Sequence, residues 1–233
     1  MTMNIKEAAL FLSLLSLNTF NALLSHQYIA DPIEKLFTYI YKTNFWQSKE
    51  SISGPGSELK VTQRMSRELS ALIKTFNITS LADAPCGDLN WMQYVNLGTC
   101  RYIGIDIVEE LIERNIKLFG TTKEFKHANL LNEIIEKVDL IICRDMLAHL
   151  TDEQIFTVLR NFKQSGSKYL LATTNVLAQS NTFIAHAGDW RRLNLQLPPF
   201  NFPEPLALIY EDVPFEWERG KCLALWLLDD LKV

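Results

Sequence analysis

Residues 80–175 alternate between short apolar runs and amphipathic stretches, and this rhythm constrains the fold more than any other feature of the chain. SLADA, RYIGIDI, KEFKHANL, VDLIICRD and SKYLLATTN read as strands, while LNWMQYV, VEELIERNIKLF and TDEQIFTVLRNF read as the helices between them. Strands joined through helices run parallel, so the expected class is α/β with an open, doubly wound, mostly parallel sheet. Thr151 and Gln154 have the spacing of a capping box at the head of the last of these helices. Beyond residue 175 the rhythm breaks. A long aperiodic stretch, 176–205, is followed by PLALIYEDV and KCLALWLLDD with no helix between them, which pair most simply as an antiparallel hairpin. Long irregular stretches inside compact domains are commonly functional.

Extra helices precede the alternation. DPIEKLFTYIYK opens with Asp31 as N-cap and Pro32 at the first helical position, and residues 58–76 carry apolar side chains at helical spacing. Between them NFWQSKESISGPGS reads as an ordered loop around Gly54-Pro55-Gly56. The chain therefore divides into an N-terminal helical segment and lid loop, 1–57, and one domain, 58–233, a size a single core commonly reaches. Residues 8–25 lack charge and include AALFLSLLSL. They fit a packed or partner-binding helix, or a signal or membrane-anchoring segment that Ser and Asn residues dilute.

A net charge of −4 and the lack of any Lys/Arg block argue against a nucleic-acid partner. Four cysteines show neither C-x-x-C nor zinc spacing, which fits free thiols in a reducing compartment, the cytoplasm. The sequence is silent on oligomeric state.

In sheets of this class ligands bind beyond the carboxyl ends of the strands. The first strand ends in Asp83 and runs into Pro85-Cys86-Gly87-Asp88. Gly87 permits close approach of backbone to a ligand, and a helix from Leu89, with Asp88 as N-cap, turns its free N–H groups to the same spot. Two carboxylates beside an anion-binding helix end suit a zwitterionic amino-acid group. Asp83 otherwise serves only to cap. The second strand ends in Asp106, which can accept from ribose hydroxyls, with Ile107 placed to cover a base. The third ends at Asn129-Leu130, where Asn129 can both donate to and accept from a purine edge. Three polar strand ends in order point to a ligand that carries a nucleoside.

LADAPCGD, then YIGIDI, then DLIICRDMLAHL resemble the class I, Rossmann-like S-adenosylmethionine (SAM)-dependent methyltransferases over roughly residues 58–231. The family's first motif reads acidic-x-Gly-x-Gly-x-Gly. Here Pro85 stands for the first glycine and Leu89 for the third, the form of a smaller bacterial-type subgroup with a DxPCGD motif. The resemblance implies a seven-stranded sheet of order 3-2-1-4-5-7-6 with the last strand antiparallel, and SAM as cofactor. It also implies that Asp83, Gly87 and Asp88 hold the methionyl part, Asp106 the ribose and Asn129 the adenine, with Pro85, Ile107 and Leu130 beside them. Family members usually carry Asp where Asn129 stands. A nicotinamide dehydrogenase would show a fuller G-x-G-x-x-G, which is absent. A SAM-binding regulatory protein without transferase activity, or a transferase acting on protein or nucleic acid, is the competing function.

The reaction implied is transfer of a methyl group to a small-molecule or saccharide acceptor at oxygen. Asp145 and His149, four residues apart in CRDMLAHLT, share a face if the segment is helical, and His149 is the better base. Its structural alternative is a histidine bonded to backbone. Arg144 lines the cofactor or an acceptor anion, or else faces solvent. In GDWRRLNL, Trp190 can stack on the acceptor and Arg191 pair an anion; the alternative is an aromatic plug with solvated arginines. Trp46 and the SGPG loop form a lid or an ordinary glycine turn. Asp145 and Asn175 are too few ligands, at unrelated spacing, to define a metal site.

Overall fold

The computed structural model of the protein describes residues 33–213 and 215–233. The seven strands are β1 (Ser80–Asp83), β2 (Arg101–Asp106), β3 (Glu124–His127), β4 (Leu140–Cys143), β5 (Tyr169–Asn175), β6 (Ala207–Tyr210) and β7 (Lys221–Leu227). They form one sheet of order β3-β2-β1-β4-β5-β7-β6, as expected. The first five strands pair parallel, whereas β7 runs antiparallel to both β5 and β6. The helices are α1 (Ile33–Lys42), α2 (Leu59–Thr75), α3 (Glu109–Phe119) and α4 (Asp152–Gln164). The Asp31-Pro32 start expected for α1, and residues 8–25, lie outside the described residues.

The central strands are apolar on both sides because both faces of the sheet are covered. Along β4, Ile141 and Cys143 join the cluster built on α4 side chains Ile155, Val158, Leu159 and Phe162. Leu140 and Ile142 join the opposite cluster, built on Met65, Leu69, Leu72 and Ile73 of α2. Side chains alternate across a strand, so a strand buried on two sides reads as an unbroken apolar run. Helix α4 starts with the expected capping box: the Gln154 N–H donates to the Thr151 hydroxyl, and the Thr151 N–H to the Gln154 side chain.

Two expected elements differ. LNWMQYV does not form a helix; a single 3-10 turn, Met92–Tyr94, replaces it. Leu89 sits in the left-handed region at φ 56°, so the chain leaves the Gly87 turn in a direction from which a right-handed helix cannot begin. That conformation costs a non-glycine residue roughly 1–2 kcal/mol. Leu89 is 1% exposed in the α2-side cluster, and full burial of a leucine contributes about 1.5–3 kcal/mol, so packing wins. The second difference is at VDLIICRD, which pairs only over Leu140–Cys143. The Asp139 carboxylate instead accepts from the Thr79 N–H, the Thr79 hydroxyl and the Ser80 N–H, and Asp145 at φ 55° turns the chain out of the sheet.

Candidate functional site

A cavity of about 580 Å³ opens over the carboxyl ends of β1 to β4, within the size range of small-molecule sites. Asp83, Pro85, Gly87, Asp88, Asp106, Ile107, Asn129, Leu130, Arg144, Asp145, His149 and Trp190 all line it. Helix α1 roofs it with Ile33, Phe37, Ile40 and Tyr41, and residues 52–57 with Trp46 close one side. The loop is thus built into the cavity wall, across the 1–57/58–233 division drawn from the sequence.

The turn after β1 is organised around two carboxylates. Asp106 accepts the Gly87 N–H (3.0 Å) and the Val108 N–H (3.1 Å) on its two oxygens. A carboxylate offers about four acceptor positions, so with the Ile107 N–H also directed at it, capacity remains for a ligand hydroxyl. Burial raises the Asp106 pKa against these stabilising N–H groups. Asp83, 2% exposed, accepts the buried Tyr102 hydroxyl at 2.8 Å, yet burial pushes its carboxyl up to about 7. Gly87 adopts φ 54°, and a Cβ there would collide with the Ser53 hydroxyl. Asn129 accepts the Leu131 N–H on its side-chain oxygen, which leaves the side-chain NH2 without a described partner.

Asp88 does a different job from the one expected. With no helix at Leu89 it caps nothing helical. Its carboxylate takes the Ser51 hydroxyl (2.9 Å), the Ile52 N–H (2.9 Å) and the Ser53 hydroxyl (3.2 Å), and the Ser53 hydroxyl in turn accepts the Asp88 N–H. Asp88 is therefore the latch of the 51–57 loop.

Beyond β4 lies a buried ionic cluster. Arg144 grips Glu211 with two nitrogens (3.1 and 2.6 Å) and also donates to the Gly56 carbonyl (2.7 Å) and the Ser57 hydroxyl (3.3 Å). Its guanidinium is committed to the protein rather than free for a ligand anion. Lys221, at the head of β7, donates to Asp145 at 2.8 Å and lies 3.5 Å from Glu211. Burial alone would raise Asp145, but the Arg144 and Lys221 cations hold it well below the ordinary carboxylate range.

Asp145 and His149 do not share an α-helical face, since the segment is a turn followed by the 3-10 turn Leu147–His149. Both still line the cavity. His149 Nδ1 lies 3.0 Å from the Asp189 carbonyl, which can only accept, so Nδ1 carries the proton. Burial lowers the His149 pKa, and the neutral ring then presents Nε2 as an acceptor with no described partner. The Trp46 ring stands 5.0 Å away. Arg191 is not brought to the cavity. It is buried, pairs with Asp152 at 2.6 Å and donates to the Thr182 and Leu150 carbonyls, because it ties the 182–191 loop to the start of α4.

Sequence reasoning missed Glu211, Lys221, Glu218, Phe215 and Trp217. One signal was present: Lys221 opens an otherwise apolar strand, KCLALWL, and Glu211 directly follows ALIY.

No sequence-family profile matches the chain, and no curated protein matches it in sequence. Solved structures do. The chain resembles magnesium protoporphyrin IX methyltransferase from Synechocystis PCC 6803 with bound SAM, with TM-score 0.50 and 12% identity over 71% of this chain and 78% of that one. It resembles human N-acetylserotonin methyltransferase in complex with SAM, with TM-score 0.53 and 15% identity over 83% of this chain and 59% of that one. Against the pyocyanin biosynthetic protein PhzM the values are 0.54 and 13%, over 72% and 56%. The chain thus spans little more than half the length of the last two. With the strand order above, this is the Rossmann-like fold of the class I SAM-dependent methyltransferases.

Proposed function

We propose that the protein is a class I SAM-dependent methyltransferase of the DxPCGD subgroup, acting at oxygen of a small-molecule acceptor. The observation that carries this reading is the convergence of Asp83, Asp106 and Asn129, from the ends of three successive strands, on one cavity. The donor set fits the cofactor. A buried carboxyl with its pKa near 7 is matched to a cationic ammonium, which would restore its charge. The remaining acceptor capacity of Asp106 suits a ribose hydroxyl. The free Asn129 NH2 can donate to a ring nitrogen. Apolar Ile107, Leu130 and the α1 roof supply faces for a base.

SAM, when bound, supplies a methyl group activated on a sulfonium and open to in-line displacement. The protein's own part is alignment, exclusion of water and removal of one proton. His149 Nε2 takes the acceptor's hydroxyl proton, and the Asp189 carbonyl steadies the imidazolium through Nδ1–H. Asp145 adds a negative charge nearby that favours the protonated ring.

Purified protein incubated with methyl-labelled SAM and a small-molecule extract is expected to yield a labelled product. His149→Gln should slow that transfer at least about a hundredfold, the usual worth of a general base, with SAM affinity retained. Tight SAM binding with no labelled product would support a non-catalytic binding protein instead, and normal turnover of the glutamine variant would leave His149 structural.

A further inference from the structure

The acceptor side of the cavity has a lining that narrows what can occupy it. Trp46 stands against His149, and Trp190, next in sequence to the Asp189 whose carbonyl takes the His149 Nδ1–H, lines the same cavity. The 3-10 turn Glu216–Glu218 adds Trp217 to this lining, stacked on Phe215 at 4.4 Å and 15°, with Glu218 next in sequence. Trp190 and Trp217 are 43% and 55% exposed while lining the cavity, an arrangement that leaves large aromatic faces wet until something covers them.

The charges here are unequal in a useful way. Arg144 and Lys221 are the basic side chains of the cavity among the described residues, and both are consumed by Asp145 and Glu211. Neither is left to receive a phosphate or carboxylate. Glu218, also in the lining, is the reverse case: its carboxylate accepts no hydrogen bond from any described residue and feels the Lys221 charge without forming an ion pair with it. The burial that raises its pKa is a cost a cationic partner would remove. A saccharide would need many precisely placed polar partners, whereas this part of the lining is dominated by aromatic faces.

We propose that the acceptor is a flat aromatic molecule bearing a protonated amine, its ring held among Trp46, Trp190 and Trp217 and its ammonium paired with Glu218. This rests on the methyl-transfer reading of the same cavity. The ammonium is the handle by which the acceptor is recognised, and aromatic faces around a cation add to the attraction. The hydroxyl to be methylated lies toward His149. Glu218 is then a specificity residue.

Three indoles of the same ring but different charge test this: tryptamine (cationic), tryptophol (neutral) and indole-3-acetate (anionic). Each is titrated calorimetrically into the full chain at pH 7.5 (roughly neutral buffer), with and without saturating S-adenosylhomocysteine. Tryptamine is expected to bind at least about tenfold tighter than indole-3-acetate, the scale of one charge interaction. Glu218→Gln, its fold checked by circular dichroism, should bring tryptamine to within about twofold of tryptophol. Equal or tighter binding of indole-3-acetate, no binding of any indole, or unchanged selectivity in the glutamine variant would overturn the proposal. S-adenosylhomocysteine binding is measured first and on its own. Its absence counts against the methyl-transfer reading, while the ranking of the three indoles separately decides whether the cavity selects a cationic aromatic through Glu218.

Discussion

Asp83 shows how one residue can serve the ligand at the expense of the fold. Burial holds its carboxyl at about 7, above the 3.8 of an ordinary aspartate, with the Tyr102 hydroxyl and the Arg144 cation pulling down and Asp106 pushing up. The sign follows directly. The folded state holds this proton more tightly than the unfolded chain, so stability from this group is full below the unfolded pKa and falls as pH rises from about 4 to about 7. Cation binding needs the ionised form and gains over the same range. Affinity for S-adenosylhomocysteine, measured by calorimetry between pH 5.5 and 8 (roughly the span around that pKa), should therefore strengthen with pH and level off above it. Asp83→Asn should flatten the profile. Asp106→Ala should weaken binding by about 1–3 kcal/mol through lost charged hydrogen bonds, and unchanged affinity in a folded variant would remove Asp106 from the ribose site.

The elements that shape the cavity are loops fixed by side chains. The 51–57 loop carries little periodic signal, yet Asp88 draws three donors from it. Asp88→Ala would leave the Ser51 hydroxyl and the Ile52 N–H without an acceptor, a loss of about 1–3 kcal/mol in unfolding free energy by denaturant titration. Protease cleavage should then begin within residues 51–57 while the sheet remains protected; unchanged stability and cleavage would show that the latch is idle. The crossover after β1 shows where reading by pattern stops. LNWMQYV has the apolar content of a helix, but the left-handed Leu89 is set by the turn before it and the core it enters, which a local window does not contain. The strands and the α4 capping box were readable because their causes are local alternation and spacing.

Across the whole molecule, the parallel sheet and the closing hairpin followed from the alternation of elements, and the strand order from the family resemblance. The ionic cluster did not, because its partners meet from afar: Arg144 and Glu211 are 67 residues apart, Lys221 and Asp145 are 76. This cluster joins the ends of β4 and β6, the head of β7 and the Gly56 loop. Breaking a buried pair strands a charge, so Arg144→Met should destabilise the protein by about 3–5 kcal/mol in denaturant melts. Arg144→Met combined with Glu211→Gln should recover a large part of that loss; no recovery would mean that Arg144 acts through packing on Trp91 instead. The same separation hid Glu218 and Trp217, which matter only once β7 folds back beside β5.

Calorimetric titration of the folded 233-residue chain with S-adenosylhomocysteine bears most directly on all of this. One molecule bound per chain, with affinity lost in Asp106→Ala, is the expected result. An absence of binding by both this compound and SAM, in protein with an intact cooperative melt, would contradict the account at its centre.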